Sequence, residues 1–180
     1  MSAATFFDMV AAGGTTTADA LALFDRLEPV ATGFMLGAWK GAGFPTHHPL
    51  DGVLEAYHWY GKRFENPEDV HPLVFATTGG ELVSVNPLVF LPALGLLRSG
   101  ALPKSAAAGK SFQLGLPLMA TRRSCARLRM TEYRGKASAT MIYDALPIND
   151  VFRQVDADTV LGVMDLKGMA QPFFFVLRRE

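Results

Sequence analysis

A single cysteine, Cys125, stands in 180 residues. One thiol excludes an intrachain disulfide and fits a reducing compartment. Charge of one sign is also missing: 17 basic and 17 acidic residues leave a formal net charge of zero. A nucleic-acid binder carries a basic excess, so no nucleic-acid partner is expected. The local group Arg122, Arg123, Arg127 and Arg129 reads as the solvated face of a strand. No apolar run reaches the roughly 18 to 20 residues that span a bilayer. The nearest, Leu88 to Leu97, is shorter and holds Pro92 and Gly95. Met1 to Val10 has no basic residue ahead of its apolar stretch, which a secretory signal would carry. These absences lead to the expectation of a cytoplasmic protein with no integral membrane association.

Signatures of common chemistries are missing too. There is no G-x-S-x-G elbow, no P-loop, and no G-x-G-x-x-G opening a helix, which disfavours serine-hydrolase, ATP and NAD chemistry. The four histidines, His47, His48, His58 and His71, show neither His-x-His nor His-x-x-x-His spacing. With one cysteine they do not form a zinc site, and no metal or other cofactor is expected.

What is present is apolar. Hydrophobic residues make up 49% and charged residues 19%, a balance that excludes disorder and suits one domain with its own core. Residues 1–15 read as an N-terminal arm, with a loose helix over 1–12 ended by Gly13-Gly14. Thr16 to Asp19 has the capping form that opens a helix, and Leu21, Phe24 and Leu27 recur on one face before Pro29 stops it. Thr32 to Lys40 reads as a strand running into a glycine turn at 41–43. A short helix follows from Pro49, then strands at Trp59–Phe64, Pro72–Thr77 and Glu81–Val85. The last two are joined around Gly79-Gly80. A short apolar helix near 88–97 leads into a small-residue stretch, 103–110, read as a mobile lid loop. Ser124–Tyr133, Ala137–Asp144, Thr159–Asp165 and Pro172–Arg178 are strands, with one or two helical turns at Asn149–Val155. Such short connections favour antiparallel pairing. The fold class is mainly β: an antiparallel barrel-like fold with a few short helices, including an N-terminal one. Residues 16–180 form a single domain: a first half over 16–85, a helix and lid over 86–120, and a second half over 121–180.

Gly37-Ala38-Trp39-Lys40-Gly41, Trp59-Tyr60-Gly61-Lys62-Arg63-Phe64 and Val70-His71-Pro72-Leu73 resemble the small bacterial and fungal family named for its G-x-W-x-G motif. Tyr133-Arg134-Gly135, the run Met141 to Phe152, Leu161 to Gly168, and Pro172 to Phe175 resemble the uncharacterised domain that accompanies it. The likeness covers roughly residues 20–180. It implies a calycin- or lipocalin-like barrel and brings no general function with it.

Strand alternation then selects candidate residues. Trp39, between glycines, either plugs one end of the barrel or walls a ligand. Ala126, Leu128, Met130 and Glu132 share a face read as inward, which puts a carboxylate in an apolar interior. Ala137, Ala139, Met141 and Tyr143 share another face that leaves space for a cavity. Tyr60, Lys62, Glu132 and Asp144 are the candidate catalytic set, supplying a proton donor, a cation and a base. Trp39, His71, Phe75, Met130, Met141, Tyr143 and Phe174 are the candidate ligand contacts. Asp150 reads as a helix cap. The expected function is binding of a small apolar or amphipathic molecule in an internal cavity. The alternatives are a cofactor-independent lyase or isomerase acting there, and a haem-binding barrel of the nitrobindin kind. The fold reading leaves the oligomeric state open.

Overall fold

The computed structural model describes residues 14–180; the expected arm and loose helix before them lie outside the described residues. Helix α1 (Thr17–Arg26) opens where the Thr16 hydroxyl accepts from the Asp19 amide at 3.1 Å. Its C-terminal carbonyls are met by Lys136 Nζ, which donates to Asp25 O and Leu27 O. Ala20, Leu23 and Phe24 form its buried face.

Ten strands follow: β1 (Glu28–Pro29), β2 (Gly37–Gly43), β3 (Trp59–Asn66), β4 (Asp69–Ala76), β5 (Leu82–Ser84), β6 (Ala126–Tyr133), β7 (Lys136–Tyr143), β8 (Ile148–Gln154), β9 (Thr159–Leu166) and β10 (Phe173–Arg179). All pairings are antiparallel. The order β8-β7-β6-β4-β3-β2-β10-β9 closes on itself through β8–β9, while β1 and β5 flank the ring on β8 and β4. The expected barrel-like sheet is therefore present, and both halves of the sequence supply its strands.

Two apolar groups sit on opposite faces of this sheet. Outside, α1 packs on Val151, Leu161, Val163, Phe174 and Val176. Inside, Trp39, Phe64, Leu128, Phe152, Val160 and Leu177 fill one end of the ring. That end is closed by Trp39, whose Nε1 donates to Met35 O at 2.7 Å. The Arg179 guanidinium lies 4.3 Å from the Trp39 ring and donates to Leu36 O and Phe34 O.

The ring is weakest between β4 and β6, which share one ladder pair, Val70↔Ala126. Above that point the chain from β5 onward inserts as a cap. It comprises a 3₁₀ helix (Pro87–Ala93), α3 (Leu94–Ser99) and α4 (Ala106–Met119), with α2 (Val53–Ala56) beside it. Ala120 bridges Val85, and the Thr121 amide donates to Ser84 O.

Three local expectations change. Residues Thr32–Met35 form a 3₁₀ turn, and the strand runs Gly37–Gly43. The glycines expected in a turn lie inside the strand, paired with Phe175 and Leu177 of β10, and other groups occupy their Cβ positions. A Cβ at Gly41 would sit 2.1 Å from the Trp59 ring, and one at Gly43 would sit 2.7 Å from the Glu55 carboxylate. The segment expected as helical turns is the strand Ile148–Gln154. Apart from Asn149 its residues are buried or half-buried on both faces, with polar Asp150 on one and Arg153 on the other, so no polar face alternates with an apolar one. Residues 106–110 begin a 14-residue helix instead of a mobile loop; Ser105 caps it by accepting from the Ala108 amide. Gly109 lets that helix approach α2, since a Cβ there would meet Ala56 O at 2.2 Å.

Candidate functional site

The open end of the barrel holds a cavity of about 300 Å³. Trp59, Phe75, Tyr143, Ile148, Met164 and Phe173 come from the strands, and Leu54, Phe90 and Leu97 from the helical elements above. The wall is almost wholly carbon. One layer below, between the cavity and the filled end, sits an ion pair. Lys62 Nζ lies 2.7 Å from Asp150 Oδ2, with both side chains almost fully buried.

Backbone irregularity puts Lys62 there. Strict alternation would send Trp59 and Lys62 to opposite faces. The β3–β4 register slips between Trp59 and Gly61 and again between Gly61 and Arg63. Such a bulge turns both side chains inward. Gly61 occupies it at φ 154°, where a Cβ would sit 1.9 Å from Trp39 O. The second slip takes Pro72, which has no N–H to lose, out of the ladder. Its carbonyl accepts from Lys62 Nζ at 3.1 Å. The rings of Phe175, Trp59 and Tyr143 surround the ammonium at 5.1, 5.5 and 5.6 Å. Asp150 comes from β8, between Ile148 and Phe152 on the inward face, with Met141 and Met164 as its ladder neighbours.

Burial dominates the electrostatics. It pushes the Lys62 ammonium below its ordinary range, and the neighbouring Asp150 charge pulls the other way. It pushes the Asp150 carboxyl up, against the pull of Lys62. The Tyr143 phenol is raised well above 10, first by burial and then by the Asp150 charge. Both effects on Tyr143 keep it a neutral hydroxyl that can donate or accept. Asp150 Oδ1 and Trp59 Nε1 are buried without a hydrogen-bond partner. A carboxylate oxygen and an indole N–H left unpaired in an apolar interior are each costly.

The candidate residues scatter around this centre. Phe75 and Tyr143 line the cavity, and Lys62 lies beneath it. Met141 is fully buried in the layer of the ion pair. Trp39 belongs to the closed end. His71 is buried beside its ladder partner Arg63, 3.5 Å from Asp69, away from the cavity wall.

The remaining placements correct the expectation. Glu132 is exposed and Met130 is 49% exposed, because β6 runs past the end of β4 beyond Leu128 and leaves the barrel wall. Phe174 points outward under α1, packed on Phe24 and Phe44; Phe173 and Phe175 are its inward neighbours. Tyr60 points outward in the bulge and donates to the Glu180 carboxylate. Asp144 is at the surface, 3.7 Å from Arg127. Asp150, expected to cap a helix, is instead the buried acid of the site. The signal for it was the alternation Ile148-x-Asp150-x-Phe152. None of the four histidines lines this cavity, so the haem reading finds no axial imidazole there. No helix of the described residues is long and apolar enough to cross a membrane.

Residues 22–80 match the family described as GXWXG protein, and residues 124–179 match the domain of unknown function (DUF4334). A crystal structure of a protein from Thermomonospora curvata is 35% identical, with a TM-score of 0.71 over 99% of this chain and 97% of that one. None of the curated proteins matches this chain. Matched in both halves, and by that structure over nearly its whole length, the chain belongs to the GXWXG family with its accompanying C-terminal domain of unknown function.

Proposed function

We propose that this protein binds one small, neutral, amphipathic molecule in the barrel cavity. The observation that carries the reading is the cavity itself: about 300 Å³ of carbon-lined space, at the low end of small-molecule sites. An apolar body fits against Leu54, Phe75, Phe90, Leu97 and Met164. A single oxygen-bearing end fits toward the Tyr143 hydroxyl. The Lys62–Asp150 pair is self-neutralising, and no cationic side chain lines the wall. This favours an alcohol, aldehyde or ketone over a carboxylate, whose charge would have no partner there.

Titration with a neutral solvatochromic dye such as Nile red tests the reading. Saturable, one-to-one binding is expected, weakened at least about tenfold by Leu97→Trp, which fills the space a ligand would take. Unchanged affinity in that variant would remove the cavity as the binding site.

A second reading rests on the same ion pair. An acid and a base held together under a hydroxyl suit proton transfer in a cofactor-independent lyase or isomerase. In that reading Asp150 takes the role that strand alternation assigns to Glu132. Once a turned-over substrate is known, Asp150→Asn is expected to lower kcat at least about 100-fold while dye binding persists. Retained kcat would leave binding alone.

A further inference from the structure

Between Glu81 and Ser124 the chain carries Arg98, Lys104, Lys110, Arg122 and Arg123 and no acidic residue. In a chain of zero net charge this is a marked segregation, and it coincides with the cap. None of the five basic side chains is in an ion pair among the described residues. Arg98 and Lys104 donate only to backbone carbonyls.

The cap is apolar on both sides. In α4, Gly109, Phe112 and Leu116 recur on the face buried against the protein. Lys110, Leu114 and Leu118 recur four residues apart on the other face. There Leu114 is 85% exposed and Leu118 is 93% exposed. A surface helix normally turns polar residues to water. The 3₁₀ helix and α3 add Leu88, Leu91 and Leu96, each about half exposed. Scattered exposed leucines need no explanation, but an apolar outer face on one segment that is also purely cationic does.

Those two properties have a common complement. A membrane interface accepts apolar side chains at the acyl boundary and holds lysine and arginine at the level of anionic headgroups. A second copy of the chain is a poorer complement, because its cap would bring cations against cations. We propose that the cap docks this protein peripherally on an anionic lipid surface, with Leu114 and Leu118 inserted and the cap cations at the headgroups. The same segment supplies Phe90, Ala93, Leu97 and Leu102 to the cavity wall, so docking sets the cavity against the bilayer. The inference goes beyond the cavity reading and stands on the surface alone.

Vesicle flotation of the full chain tests it. Vesicles of mixed phosphatidylcholine and phosphatidylglycerol should carry at least about ten times more protein than phosphatidylcholine alone, and high salt should erase the difference. L114E/L118E should lower the bound fraction at least about tenfold. Both side chains are exposed, so near-UV circular dichroism should stay unchanged. K110E/R122E/R123E should remove the preference for anionic vesicles. Absence of flotation on both vesicle types, or full flotation of L114E/L118E, overturns the proposal. So does a dimer in light scattering that L114E/L118E converts to monomer without vesicle binding, which would assign the face to a second copy. Dye uptake is measured without vesicles, so the cavity reading and this one can fail separately.

Discussion

Lys62 and Asp150 show why a buried ion pair is better evidence for a site than for stability. Desolvating both groups costs several kcal/mol per ion, and their mutual attraction returns that only with good geometry. Here one carboxylate oxygen has no partner, so the geometry is incomplete. Removing one partner is expected to be worse than removing both. Asp150→Ala should destabilise by about 3–5 kcal/mol, because Lys62 is left buried and uncompensated. Lys62→Met with Asp150→Leu should recover most of the loss, read as urea midpoints in a double-mutant cycle. A double variant no better than the single would mean that the pair stabilises the fold outright. His48 offers a pH-dependent counterpart. Its Nδ1 accepts from the Leu50 amide at 3.0 Å, so its Nε2–H faces Gln171 O. Burial holds its pKa below 6.5, partly countered by the Gln171 carbonyl and Asp51. A base with a depressed folded pKa binds fewer protons than the unfolded chain below about pH 6.5. Stability contributed by neutral His48 is therefore present above that pH and is lost as pH falls from it. His48→Asn, whose amide oxygen can still accept from Leu50, should lose less stability between neutral and mildly acidic buffer than the parent. Equal losses would show that the imidazole does not titrate in this window. The comparison with the parent cancels the opposing titration of Asp150.

At the scale of elements, the β3 bulge connects sequence to site. Gly61 has no alternative there: its φ of 154° and the 1.9 Å approach of Trp39 O to a would-be Cβ both exclude a side chain. Gly61→Ala is expected to cost about 2–4 kcal/mol through overpacking and backbone strain. It should also weaken dye binding by displacing Trp59 and Lys62 together. A variant with parental stability and affinity would show that the bulge does not position the site. Much of the strand framework was legible in the sequence. The hairpin β6–β7 followed from Arg134-Gly135 between two alternating runs. Helix α1 followed from its capping residues and apolar spacing. Where sequence and structure differ, local composition hides the signal. β8 carries Asp150 among its inward residues and Asn149 and Arg153 among its outward ones, so neither face is uniformly apolar and the period of two is blurred. α4 carries two glycines and Pro117, residues that depress helix propensity; Gly109 allows the close approach to α2 and Pro117 sits in the last turn. Within the site, Lys62, Phe75 and Tyr143 were legible as inward or cavity residues. Glu132 and Phe174 were not, because alternation fixes which residues share a face but not which face is inside or where the barrel wall ends. Asp150 reads as a helix cap because the strand that carries it reads as helix.

The whole molecule combines a firm half and a loose half. β8, β9 and β10 are joined by long ladders, from Ile148↔Leu166 to Gln154↔Val160 and from Phe173↔Met164 to Arg178↔Thr159. They are packed inside by the core and outside by α1. Across the ring, β4 and β6 meet at one ladder pair, and the cap wedges into the opening above it. The cap has few regular backbone partners in the sheet, and Leu114, Leu118 and half of Leu88, Leu91 and Leu96 face outward, so less burial opposes its opening than opposes that of the barrel. Cooperative opening follows such differences in packing and ladder length. Amides of Val151, Val163 and Phe175 are therefore expected to exchange with deuterium only through global unfolding. Those in the cap between Leu88 and Leu118 should exchange at least about 100-fold faster through local opening. A neutral ligand that touches Phe90 and Leu97 from below binds only the closed form, so it should slow cap exchange selectively and in proportion to its affinity. Uniform protection across barrel and cap would mean that the ring closes as one cooperative unit. Ligand then could not enter past the cap, and its uptake would be no faster than global opening of the barrel.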